Sequence, residues 1–217
     1  MSLSEDKIKQ FLMVCLFGDK YKTVLSDDEK IGLAINRAYR DFCRTIRDGK
    51  EWNANIELDI PKGEEKKEYY DISNSRGRAS KLIKEAIASN QFNNYNTWHM
   101  KLCDKLGNQE DGAIGYTYGQ AQKWVNMTMK YLLVLKYNPV ETIIDKLHVP
   151  LDSIIIKKAT KKEKELIQKD TLGKNFSWSR IETYDHYWKI QDELMTNIEG
   201  SPILWEFDSW NESTSKN

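Results

Sequence analysis

The chain has no long apolar run, no excess of charge of either sign and no paired set of cysteines. Because it contains no run of about eighteen consecutive apolar residues, we expect no membrane-spanning helix and no membrane partner. A short apolar stretch follows Lys7 and Lys9, but it lacks a small-residue cleavage site, which argues against a signal peptide. Lys and Arg together number 33, as do Asp and Glu, so no overall basic field attracts the chain to nucleic acid.

The three cysteines, Cys15, Cys43 and Cys103, are an odd number, and none has a close partner in the sequence. This pattern does not indicate a disulfide framework, so we expect a cytoplasmic protein with reduced thiols. The chain also lacks a phosphate-binding Walker loop, a dinucleotide-binding fingerprint, a serine nucleophile elbow and a zinc-protease helix. We therefore predict no cofactor.

The histidines give no complete site. His99 and Cys103 lie four residues apart on one predicted helix and share a face, and His148 is a third candidate ligand. Structural zinc usually takes four ligands at tight spacings, so we predict a packed cysteine beside an ordinary histidine and no metal. His186, next to Asp185, fits acid–base chemistry or a solvated helix face.

Apolar residues recur at helical spacing along most of the 217 residues, which are enough for one large core. The stretch from Trp124 to Leu135 is apolar nearly all round and predicts a central buried helix. An alternating pattern occurs at about 54–72 and predicts a small β-hairpin. We predict a mainly α fold, a compact multi-helix domain over 1–217 or two tightly packed helical lobes, with 157–176 as a charged loop or exposed helix.

Capping signals delimit several predicted helices. Ser26 and Glu29 form a capping box before an amphipathic helix, and Ser179 with Glu182 forms a second box before a helix that we expect to end near Asn197. Other helices are predicted over about 4–17 and 76–89, from a Thr97 cap to Leu106, and over about 139–147, where Asn138 and Pro139 give a start signal.

Two short motifs indicate chemistry. The first is Gly119-Gln120-Ala121-Gln122-Lys123, which opens the central helix, and the second is Val149-Pro150-Leu151-Asp152, which precedes another helix. If Lys123 lies in the first turn, the positive field there and the apolar neighbour Trp124 favour the neutral amine, which is the nucleophilic form. Asp152 is placed to cap the following helix and to stabilise positive charge that develops nearby.

The order of these parts resembles the helix-hairpin-helix DNA glycosylase superfamily over about residues 115–156. Gly119, Ala121 and Lys123 follow the Gly-x-Gly-x-Lys pattern with alanine in place of the second glycine, and Val149, Pro150 and Asp152 follow the Val-Pro-x-Asp pattern. The resemblance implies a helix-hairpin-helix fold and DNA as the partner. It also implies a Lys123 nucleophile that attacks the deoxyribose C1′ and an Asp152 carboxylate that stabilises the resulting charge.

An extruded base needs an aromatic pocket, and the resemblance therefore implies substrate-binding residues around the hairpin. Small residues at Gly119 and Ala121 let the backbone approach a phosphate. The aromatic candidates for this base pocket are Tyr118, Trp124 and Trp178, together with Trp98 and Tyr116. The lysine-rich run that begins at Lys157 is either solvated surface or a phosphate contact.

A structural interpretation accounts for the same residues. Gly119 makes a turn, Lys123 is an exposed first-turn lysine, and Asp152 caps a helix. The chain is then a non-enzymatic all-helical protein-interaction module. A third interpretation is an enzyme that forms a lysine Schiff base with a small carbonyl compound.

Overall fold

The computed structural model describes residues 4–45, 75–107, 115–161 and 165–214. Over these ranges the chain is helical and contains no β-strand, which confirms the mainly α prediction. The hairpin predicted at 54–72 lies outside the described residues. The helices are α1 (Glu5–Phe17), α2 (Asp27–Thr45), α3 (Ser75–Ala88), α4 (Tyr95–Gly107), α5 (Tyr118–Val134), α6 (Asn138–Glu141), α7 (Ser153–Ala159), α8 (Lys169–Leu172), α9 (Tyr184–Asn197) and α10 (Pro202–Thr214), with 3₁₀ turns at Ile144–Lys146 and Trp178–Arg180.

Helix α5 is the centre of the fold, as its apolar pattern predicts. All but three of its 17 residues are buried. Helices α2, α4 and α9 and the 3₁₀ turn Trp178–Arg180 pack around it. Trp124 joins α5 to α2, because its indole Nε1 donates to the Ile35 carbonyl at 3.1 Å and its ring stacks on Phe42. None of the helices described here has the length and apolarity that crossing a membrane requires.

A capping box fixes the start of α5. The Thr117 hydroxyl accepts from the Gln120 amide, and the Gln120 side chain accepts from the Thr117 amide, both at 3.1 Å. Because the helix begins at Tyr118, Lys123 is its sixth residue and lies in the second turn, not in the first turn that the sequence motif suggested. The field of the helix terminus falls off within the first turn and therefore acts weakly on Lys123.

Gly119 allows α5 to contact the 3₁₀ turn Trp178–Arg180 directly. Its amide donates to the Ile181 carbonyl at 2.8 Å. A Cβ atom at this position would lie 1.8 Å from the Trp178 carbonyl oxygen, so only glycine fits. This contact holds the chain extended at Ile181, and α9 consequently starts later than Ser179.

Two predicted helix caps and one predicted helix length are wrong. The cap of α9 is Thr183, whose hydroxyl accepts from the His186 amide at 3.3 Å, and Ser179 lies in the preceding 3₁₀ turn. The side chain that caps α4 is Asn94, not Thr97, because Asn94 Oδ1 accepts the Thr97 amide at 3.1 Å. The helix predicted over 139–147 is divided into α6 and a 3₁₀ turn, since Ile143 adopts φ −118° and ψ 19°.

The segment 157–176 contributes to the core in part. Helix α7 continues through Ala159, whose carbonyl accepts the amides of Leu166 and Ile167 at 2.7 and 3.2 Å. Both of these side chains are buried. The short helix α8 follows and its residues are not buried.

We predict opposite effects for two Gly→Ala substitutions inside helices. Gly119→Ala should lower the free energy of unfolding by about 1–3 kcal/mol or more, because the new methyl group collides with the Trp178 backbone. Gly32→Ala should raise it by about 0.5–1 kcal/mol, because nothing lies within 4 Å of that Cβ position and alanine favours the helix. Urea denaturation at constant slope measures both. Equal effects would contradict the close contact at Gly119.

Candidate functional site

Lys123 and Asp152 form a direct ion pair, although 29 positions separate them in the sequence. The Lys123 Nζ atom lies 2.5 Å from Asp152 Oδ2. The other carboxylate oxygen, Oδ1, accepts the amides of Ile154 and Ile155 at 2.9 Å each and so caps α7. The carboxylate therefore fixes the start of α7 with one oxygen and binds the lysine of α5 with the other.

The pair is closed to solvent in this conformation. Lys123 is 3% exposed and Asp152 is 4% exposed. A charge in such a place is tolerated only when it is paired, and the two side chains meet this need for each other. The sequence motif suggested an exposed Lys123 or one that faces a cleft, and the structure shows neither.

A second buried ion pair lies further along the same face of α5. Lys130 Nζ is 2.5 Å from Glu206 Oε2, and Glu206 is 1% exposed. Burial raises the pKa of Glu206, and the Lys130 ammonium opposes this shift, as does Lys123. We refer to Lys123, Asp152, Lys130 and Glu206 as the charge cluster, which joins α5 to α7 and α10.

Two glutamines hold the backbone just before Asp152. Gln122 donates to the Leu151 carbonyl at 3.0 Å and accepts the Leu151 amide at 3.2 Å. Gln191 donates to the Val149 carbonyl at 2.6 Å and accepts the Val149 amide at 3.1 Å. We call Gln122 and Gln191 the amide clamp. It fixes the backbone that carries Asp152, so that the carboxylate faces Lys123.

Next to the amide clamp lies a buried histidine cluster of His99, His148 and Tyr187. His148 Nδ1 is 2.9 Å from the Tyr187 hydroxyl, and its Nε2 is 2.9 Å from Asn96 Oδ1. The His99 ring stacks on Tyr187 with centroids 5.2 Å apart. Burial lowers the pKa of His99 to about 3 and lowers the pKa of His148 well below its ordinary value. Both imidazoles are therefore neutral at neutral pH.

The three metal candidates lie near one another, with the His99 and His148 ring centroids 4.6 Å apart. Cys103 Sγ lies 3.7 Å from the nearest His99 ring nitrogen, whereas both ring nitrogens of His148 face other partners. In the part of the chain that the structure describes, no group of three or more His, Cys, Asp or Glu side chains is arranged to hold a metal ion. His186 lies elsewhere, on α9, where its ring contacts Phe176.

The five residues predicted to bind substrate are all buried in the core. They are Tyr118, Gly119, Ala121, Trp124 and Trp178. The amides of Gly119 and Ala121 already donate to backbone carbonyls, and the Trp124 indole donates to Ile35. A substrate would have to displace these contacts, so a base pocket at these residues stays a prediction.

The other candidate residues are less buried. Trp98 and Tyr116 are partly buried. In the lysine run, Lys157 and Lys161 are exposed.

Sequence reasoning missed the amide clamp, the histidine cluster and the second ion pair. A readable signal existed in α5, where Gln122, Asn126 and Lys130 interrupt a helix that was expected to be buried all round. Buried polar groups need hydrogen-bond partners, so these residues predict partners elsewhere in the chain. Their identity, for example Gln191 or Glu206, is not encoded in the local pattern.

Comparison of the chain with protein-family models, with curated proteins and with solved structures gave no significant match.

We predict that Asp152→Ala lowers the free energy of unfolding by about 3–5 kcal/mol, because it removes a helix cap and leaves the Lys123 ammonium buried without its partner. Asp192→Ala, which removes an exposed carboxylate on α9, should change the free energy of unfolding by less than about 0.5 kcal/mol. Chemical denaturation measures both. Equal effects of the two substitutions would show that the ion pair does not form in solution.

We also predict that stability falls with pH below about 6.5. The unfolded chain takes up a proton on each histidine near pH 6.5, whereas folded His99 stays neutral down to about pH 3. Each buried histidine therefore contributes a slope of about 1.4 kcal/mol per pH unit in that window. His148→Gln should reduce the slope by up to this amount below about pH 6, because burial lowers the pKa of folded His148 well below its ordinary value, as followed by urea denaturation. His186→Gln is the control outside the cluster, and a slope unchanged in both variants would contradict the prediction.

Proposed function

We propose that this chain acts on DNA by lysine-dependent base excision, with Lys123 as nucleophile and Asp152 as the stabilising carboxylate. The observation that supports this proposal is the 2.5 Å contact between the two side chains at the first turn of α7. The helix-hairpin-helix resemblance implies a lysine nucleophile and a stabilising aspartate, and Lys123 and Asp152 occupy those motif positions.

The chemistry follows from the two groups. Once the ion pair opens, the Lys123 ammonium loses a proton to water, and its Nζ lone pair then attacks C1′ of the deoxyribose. The electrons of the C1′–N bond leave with the base, which takes up a proton. Positive charge develops on the sugar in the transition state, and the Asp152 carboxylate stabilises it. At an abasic site the same amine adds to the C1′ aldehyde and forms an imine with loss of water.

The burial of the pair has two consequences for this proposal. Replacing a buried ion pair by apolar residues is often neutral or stabilising, so stability alone gives little reason for a lysine and an aspartate here. The reaction nevertheless needs the pair to open, because a sugar must reach an Nζ atom on a side chain that is 3% exposed. Asp152 caps α7, which has only seven residues, so a displacement of α7 that carried Asp152 with it would separate the carboxylate from Lys123.

The same burial favours a second candidate, in which the chain is a non-enzymatic helical protein-interaction module. In that case the charge cluster connects α5 to α7 and α10 and has no reacting partner. The amide clamp supports this candidate, since it fixes the backbone before Asp152 with four hydrogen bonds.

Borohydride trapping on DNA that contains an abasic site tests the catalytic proposal. The wild-type chain should give a covalent adduct, because borohydride reduces the imine to a stable amine. Lys123→Gln should lose the adduct by at least about a hundredfold. Lys130→Gln is the matched control, since Lys130 is another buried and ion-paired lysine of α5. Peptide mapping of the adduct identifies the lysine, and thermal unfolding of each variant shows whether it is folded.

The outcomes separate the candidates. No adduct from the wild type, together with no DNA affinity at low salt, favours the interaction module, because a DNA-binding protein should bind there and weaken steeply as salt rises. An adduct on any lysine other than Lys123 contradicts the assignment of the nucleophile. Trapping with pyruvate in the absence of DNA would instead indicate a small carbonyl substrate.

A further inference from the structure

Exposed apolar side chains concentrate in one stretch of the described residues. Seven large hydrophobic side chains are exposed in the described part of the chain, and five of them lie on α1 or on the segment just after it. Phe11 is 66% exposed and Val24 is 84% exposed. These five are Ile8, Phe11, Leu12, Val14 and Val24. Clustering of this kind marks a binding surface more often than single exposed residues do.

The side of α1 that faces the protein borders a cavity of about 370 Å³. The cavity lies between α1, the 21–25 segment and the residues at the end of α5. A hydrogen bond from Gln10 Nε2 to Thr23 Oγ1 at 3.5 Å connects two of these walls. The volume lies within the range of about 300–1,000 Å³ that is typical of small-molecule sites.

The lining of this cavity combines positive charge with apolar surface. Four lysines line it, namely Lys9, Lys22, Lys30 and Lys136, and the lining contains no carboxylate. The remaining lining residues, apart from Thr23, are apolar or aromatic, Met13 and Leu25 among them. We call this the lysine cavity.

Nearby acids neutralise only part of this charge. Glu29 binds Lys22 at 3.1 Å, and Asp27 lies 3.9 Å from Lys30. Lys30 Nζ also donates to the Lys136 carbonyl at 2.9 Å. Among the residues that the structure describes, Lys9 and Lys136 form no ion pair. Two of the four lysines that line the cavity, Lys9 and Lys136, therefore keep ammonium groups without a carboxylate partner among the described residues.

We propose that the lysine cavity binds an anionic amphiphile, a phosphate group attached to a hydrocarbon chain. The phosphate would bind Lys9 and Lys136, and the hydrocarbon chain would contact the apolar lining residues Met13, Val24 and Leu25. A free inorganic anion would leave the apolar lining unused. A second copy of this chain fits less well, because a twofold contact at this face would bring lysines against lysines.

This site is separate from the ion pair of the proposed DNA chemistry. Lys136 lies 13 residues beyond Lys123 in the sequence, and the intervening chain is mostly helix α5. At 1.5 Å per residue this corresponds to about 20 Å along the helix axis. The amphiphile proposal therefore stands or fails independently of any reaction at Lys123.

Isothermal titration with dihexanoyl phosphatidic acid, used below its micelle concentration, tests the proposal. We expect saturable binding that is at least tenfold tighter than the binding of inorganic phosphate or of dihexanoyl phosphatidylcholine. The double variant Lys9→Gln/Lys136→Gln should weaken it by about tenfold or more. The matched control is Lys101→Gln/Lys105→Gln, which removes two exposed lysines beside another cavity and should leave the affinity unchanged.

A vesicle arm distinguishes a free amphiphile from a lipid in a bilayer. Vesicles of phosphatidylcholine with long-chain phosphatidic acid should sediment the chain if the lipid is taken from a bilayer, and Phe11→Ser should then weaken sedimentation without changing dihexanoyl binding. Binding of the soluble compound alone supports a free amphiphile. Three results would overturn the proposal: no binding of the soluble compound, equal affinity for inorganic phosphate, or equal effects of the two double variants.

Discussion

A helix that is buried on every side must find partners for its polar side chains inside the protein, and this constraint on α5 organises the structure. Gln122, Lys123, Asn126 and Lys130 all lie on α5 and are all buried. Each unpaired group would cost free energy, so the second half of the chain supplies complementary groups at these positions. Hydrogen bonds and ion pairs thus determine where the 148–152 segment, α9 and α10 lie on α5, in addition to apolar contact.

The same constraint explains why Lys123 and Asp152 lie in direct contact and why both are buried away from solvent. Their charges are stable in the core because they neutralise each other, and the contact that joins the two groups of the proposed reaction also occupies the lysine. Lys130 and Glu206 repeat this arrangement on the next turns of the helix without any motif that suggests chemistry. A functional distinction between the two pairs therefore depends on which of them can open, and Lys123 faces the shorter helix, α7.

The net charge of zero does not reveal how charge is distributed over this molecule. Equal numbers of acidic and basic residues gave no reason to expect an anion site. Folding nevertheless brings four lysines to one cavity whose lining contains no carboxylate. The walls of that cavity come from residues 9–30 and from residues 134–136, which follow more than 100 positions later, so no local pattern could reveal it.

The sequence alone determined the helical class, the buried character of α5, the capping box before α2 and the cap that Asp152 provides for α7. These features depend on residues within about four positions of one another, and such spacings are visible in a sequence. Only the tertiary structure decided that Lys123 is buried in the second turn of α5, that α9 starts at Tyr184 and that two glutamines hold the 149–151 backbone. These outcomes depend on long-range contacts, such as that of Gly119 with Trp178, whose partners the local pattern does not specify.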